Sequence, residues 1–140
     1  MRFAAAAAEK GVGISVPWGH AQGYDLITDT DGVLKRVQVK LACYNTGRDR
    51  WDADVRVTRR STRDQEDRTP CEGGFDILAV IAGGSTYLFT EEQVKGRSAV
   101  ALRPPGCRPA LNRGRKVDAP DHEAGLEAWF LLKEAGSDRR

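Results

Sequence analysis

From Arg36 to Leu41 polar and apolar residues alternate one for one, so that Val37, Val39 and Leu41 fall on one face of an extended chain and Arg36, Gln38 and Lys40 on the other. This alternation predicts a strand over Val33 to Leu41. A second strand is predicted over Tyr24 to Thr28, and the intervening Asp29-Thr30-Asp31-Gly32 carries the Asp-Gly pair that favours tight hairpins. Upstream, Arg2 to Lys10 contains five consecutive alanines and ends before Gly11, the pattern of a short helix stopped by glycine. That helix reads as truncated, because nothing precedes it to form an N-cap or a first turn. Val12 to Val16 is β-branched and stopped by Pro17, which predicts a short strand.

Downstream, Trp51 to Thr58 alternates with Ala53, Val55 and Val57 on one side, again as a strand. Arg59 to Gly74 has no apolar period and is expected to be a loop. Phe75 to Ala82 is a nearly continuous apolar run between glycines, as expected of a central strand buried on both faces. Thr86 to Thr90 should pair with it through Gly83-Gly84-Ser85, and Glu91-Glu92-Gln93-Val94 should start a helix capped by Thr90. Ser98 to Leu102 is a last short strand, and Glu123 to Glu134 carries the stripe of a terminal helix. The resulting fold class is α/β, a mixed sheet flanked by helices.

The hairpin gives the chain its candidate chemistry. A two-residue loop on Asp31-Gly32 places Asp25 directly opposite Gln38, with Cβ atoms about 5 Å apart. A four-residue turn pairs Asp25 with Arg36 instead. Under either register Asp25, Arg36, Gln38 and Lys40 share one face, which is also how the solvent side of a half-buried hairpin looks. The Asp25 carboxylate is a hard oxygen ligand for Mg2+, the Gln38 amide can add a neutral oxygen, and Lys40 can orient water or hold charge on a phosphate.

Composition narrows the setting. A chain of 140 residues, 40% hydrophobic and 30% charged, has the size and balance of one globular domain, expected over residues 1–134 with a disordered tail at 135–140. It holds no membrane-spanning run and no secretory signal pattern, so a cytoplasmic location is expected. Cys43, Cys71 and Cys107 are odd in number and widely spaced, as free reduced thiols would be. A net charge of +2 does not by itself call for a polyanion, but the charge is segregated. Arg103, Arg108, Arg113, Arg115 and Lys116 occur with no acid among them, the pattern of a phosphate-contacting arm. Trp18, Trp51 and Trp129 are assigned to core or rim packing rather than to base stacking.

The runs Ile14-Ser15-Val16-Pro17-Trp18-Gly19, Gly23-Tyr24-Asp25-Leu26-Ile27 and Arg36-Val37-Gln38-Val39-Lys40 resemble the group I intron-associated PD-(D/E)XK endonucleases. In these, Q-V-K stands where other relatives carry an acid before X-K. The likeness continues through Phe75-Asp76-Ile77-Leu78-Ala79-Val80, Tyr87-Leu88-Phe89 and Gly96-Arg97. The resemblance implies a restriction-endonuclease-like core and a Mg2+-dependent endonuclease acting on double-stranded DNA, with Mn2+ as a substitute ion. It further implies that Asp25 is the metal-binding acid, Gln38 the unusual second position and Lys40 the catalytic lysine. The family's helix glutamate has no match here, Glu9 being the nearest acid and a weak third metal ligand. That gap motivates a second expectation, a catalytically inactive DNA-binding remnant. Two DNA strands need two sites, so a homodimer or tetramer is expected.

Overall fold

A computed structural model describes residues 2–19, 23–60, 66–69 and 73–102. The predicted terminal helix and tail, the basic arm, Cys71, Cys107 and Trp129 lie outside the described residues. The elements are α1 (Arg2–Glu9), β1 (Gly13–Ser15), β2 (Leu26–Thr30), β3 (Val33–Leu41), β4 (Cys43–Asn45), β5 (Arg50–Asp54), β6 (Val57–Arg60), β7 (Glu66–Thr69), β8 (Ile77–Ala82), β9 (Ser85–Thr90), α2 (Glu91–Val94) and β10 (Ala99–Leu102). None of the described helices is long and apolar enough to cross a membrane.

The main sheet has five strands in the order β1-β2-β3-β8-β9. It is mixed: β3 and β8 run parallel and the other neighbours antiparallel. Parallel neighbours need a crossover, and here the chain between β3 and β8 builds two smaller sheets, β10-β5-β4 (completed later by β10) and β6-β7. Every side chain of β8 is buried, as its apolar run predicts. Its alternate residues serve two cores. Ile77, Ala79 and Ile81 pack with Leu26, Val37 and Leu88 under Phe3 and Ala7 of α1. Leu78, Val80 and Ala82 pack with Tyr87, Phe89 and Val94 against Ala53, Val100 and Leu102 of the smaller sheet. Phe3 and Ala7 are four residues apart and so share one helix face.

Two expectations need correction. The strand predicted over Trp51 to Thr58 is broken, because the Asp54 carboxylate accepts the Arg56 backbone N–H at 3.0 Å and holds the Arg56 guanidinium at 2.6 Å, which ends the ladder. The predicted loop after Arg59 contains the β6–β7 hairpin, whose register sets Arg59 opposite Asp67 and Arg60 opposite Glu66. The polar sequence of these two segments has no apolar period to read. β4 is a further strand not anticipated, for the same reason: Cys43 and Tyr44 are exposed.

Candidate active site

The hairpin resolves the open register. Thr30 pairs with Val33 across Asp31 and Gly32, and both loop residues have positive φ (54° and 84°), the geometry that Asp-Gly supplies. Leu26 then pairs with Val37, and the next position brings Asp25 level with Gln38. The Asp25 backbone N–H donates to Val37 O at 2.9 Å, which ties the start of β2 to β3. One carboxylate oxygen, Oδ2 of Asp25, accepts from Gln38 Nε2 at 2.7 Å and from the Val39 backbone N–H at 2.8 Å. Lys40 stands two residues along β3 on the Gln38 side and is half-buried. Asp25 and Gln38 are therefore in contact where β2 begins, and Lys40 shares the Gln38 face of β3.

Asp25 also lines a cavity of about 530 Å³, shared with Arg2, Phe3 and Ala4 of α1, with Val16 and with Leu41. It is thus the N-terminal end of α1 that meets Asp25. Glu9 is exposed on the last turn of α1, six residues beyond Phe3, or about 9 Å of helix away from that end. Among the described residues no group of three or more His, Cys, Asp or Glu side chains could hold a metal ion.

A neighbouring clamp was not anticipated. The Asp76 carboxylate accepts the Arg36 backbone N–H at 2.8 Å, Arg36 Nε at 3.2 Å and Arg36 Nη2 at 3.0 Å, while Asp76 N–H donates to Arg36 O at 2.8 Å. Burial opposes ionisation of Asp76, but the Arg36 hydrogen bonds and the charges of Arg36 and Lys35 outweigh it and hold its pKa below the ordinary carboxylate value. The same pairing raises the pKa of Arg36. The clamp fixes β3 against β8 two residues before Gln38. Its only trace in the sequence is the lone carboxylate that interrupts the apolar run between Phe75 and Ile77.

Trp51 packs half-buried against the second core, as expected, and lies 5.3 Å from the Tyr44 ring. Trp18 does not: its exposure of 101% overturns the packing assignment. Pro17 and Gly19, the latter at φ 107°, hold it in a loop past the end of β1, where no other element among the described residues covers it.

Comparison with known proteins gives a consistent picture. The profile of the PD-(D/E)XK endonuclease family matches residues 1–107, which include Asp25, Gln38 and Lys40. Protein 5.3 of Escherichia phage T7 is 34% identical over 97 residues, covering 66% of this chain and 70% of that protein. The fold is similar to that of a bacterial homing endonuclease, I-Ssp6803I, with a TM-score of 0.71 and 26% identity over 95% of this chain and 91% of the other.

Proposed function

The chain belongs to the PD-(D/E)XK endonuclease family, and from that premise we propose that it is a Mg2+-dependent endonuclease hydrolysing phosphodiester bonds of double-stranded DNA, with Asp25, Gln38 and Lys40 as its site. The observation that carries this reading is the Asp25 carboxylate held by Gln38 and by the Val39 N–H beside Lys40. The homing activity named for the structurally similar enzyme supports DNA as the substrate.

Both hydrogen bonds to Asp25 engage Oδ2, which leaves Oδ1 for a cation. Gln38 offers its amide nitrogen to Asp25, so a half-turn of the amide is needed to present its oxygen instead. One carboxylate and one amide suit Mg2+, which keeps several waters and shares substrate phosphate oxygens, better than an ion that needs an all-protein cage. Glu9, exposed on the far turn of α1, is a poor third donor. When bound, the ion supplies positive charge against the phosphoryl oxygens. The protein's own groups do the rest. Asp25 and Gln38 would hold the cation, and the Lys40 ammonium would orient the attacking water and stabilise the charge that develops on the phosphate. In this reading Arg103, Arg108, Arg113, Arg115 and Lys116 contact the DNA backbone.

The single carboxylate also favours a second reading, a DNA-binding protein that no longer cuts. Plasmid DNA incubated with the purified protein and Mg2+ or Mn2+ separates the two. The endonuclease reading expects cleavage that EDTA stops and that Lys40→Ala and Asp25→Asn each reduce roughly a hundredfold or more. Salt-sensitive DNA binding without cleavage, indifferent to metal and to Asp25→Ala, establishes the second reading instead.

A further inference from the structure

The most solvent-exposed large apolar side chain among the described residues is Trp18, and it stands beside the candidate site. β1 runs antiparallel to β2, with Ser15 paired to Ile27, so the chain beyond Ser15 travels toward the end of the sheet where Asp25 sits. Val16 lines the cavity that Asp25 lines. Trp18 is two residues further on, at most about 7 Å of chain. That cavity presents the exposed apolar surface of Val16 (59%) and Leu41 (68%) together with the cationic Arg2. Pro17 restricts the backbone ahead of the ring, and Gly19 at φ 107° turns it away behind.

Core packing cannot explain a tryptophan whose whole surface faces water, since aromatic rings gain most by burial. A flat apolar ring two residues beyond a cavity that holds the candidate acid and the cationic Arg2 matches one ligand class well: a nucleotide, whose base stacks while its phosphate meets the cation. In B-form DNA each base face is covered by its neighbours, so a ring can reach one only where a step is kinked or a nucleotide is unpaired. We infer that Trp18 stacks on a base unstacked within two or three nucleotides of the phosphate at the candidate site, at about 3.4 Å per step, and that the protein therefore prefers DNA whose stacking is already interrupted there. The inference rests on the endonuclease reading for its ligand but not on cleavage itself.

The test is binding without divalent metal, by fluorescence anisotropy. Two duplexes of one sequence are used, one fully paired and one with a single unpaired nucleotide. Wild-type protein is expected to favour the interrupted duplex. Trp18→Ala should weaken that complex roughly fivefold to a hundredfold, the range of one lost stacking contact, and Trp18→Phe should restore most of it. The salt dependence should not change, because no charge is removed. Thermal unfolding should also be unchanged, because the ring touches no core. Equal binding by wild type and Trp18→Ala overturns the inference, even where Lys40→Ala still abolishes cleavage and the endonuclease reading stands. A wild type that binds neither duplex overturns the inference, and cleavage by the same protein with Mg2+ then decides the endonuclease reading separately. A shift in oligomeric state on Trp18→Ala, with DNA affinity intact, overturns it in favour of a contact between copies of the chain.

Discussion

Asp76 shows how one side chain can set the geometry of a site it does not enter. Its carboxylate holds both the backbone and the guanidinium of Arg36, and Arg36 shares a strand and a face with Gln38 and Lys40. The Arg36 and Asp76 side chains are 48% and 35% exposed, so the ion pair itself adds little, while the backbone hydrogen bond fixes the strand. An acid whose folded pKa lies below its unfolded value of about 3.9 stabilises the fold above that pH. The contribution fades as pH falls from about 4 through the depressed folded pKa. Asp76→Asn is therefore expected to cost about 1 kcal/mol at pH 7, measured by urea unfolding, with the gap to wild type narrowing below about pH 4. A gap that stays constant on acidification would show that the carboxylate charge is not what matters. Asp25, two strands away, was legible from the hairpin pattern, whereas Asp76 was not, because its partner lies 40 residues earlier in the chain.

At the scale of elements, the β2–β3 hairpin carries the site, and its turn carries the hairpin. Asp31 and Gly32 both adopt positive φ, and the Gly32 N–H is accepted by Asp29 Oδ1 at 3.0 Å. Open space surrounds the position a Cβ would occupy at Gly32, so a side chain there meets only conformational cost. Gly32→Val is expected to destabilise the protein by about 1–2 kcal/mol, and Gly32→Asn by much less, because asparagine tolerates the left-handed region. Denaturant midpoints check this, and equal effects of the two substitutions would remove the turn as the source. The other elements divide by how they declare themselves. β8, β9 and α2 were readable from a buried apolar run, a glycine turn and the Thr90 cap, where the Gln93 side chain accepts the Thr90 N–H at 2.9 Å. β4 and β7 were not, since an exposed strand and a polar segment write no apolar period.

For the whole molecule, one chain presents one Asp25–Gln38–Lys40 site, whereas a double-strand break needs two. Sedimentation of the wild type should therefore show a dimer or tetramer, and a monomer that only nicks one strand would refute that assembly. The sequence by itself determined the hairpin and the common face of Asp25, Gln38 and Lys40, because turn chemistry and alternation act between near neighbours in the chain, while the choice of the two-residue turn over a four-residue one came from the folded register. It also determined that β8 would be central, because an unbroken apolar run has no face for water. Tertiary structure alone decided the parallel seating of β3 on β8, the approach of Gly23 to Gly74, where a Cβ on the former would come within 3.4 Å of the latter's Cα, and the Arg36–Asp76 clamp. It alone decided which end of α1 shares a cavity with Asp25 and left Trp18 exposed two residues beyond Val16 of that cavity. These outcomes depend on which surfaces remain once distant segments have paired, and no local pattern records what is left over.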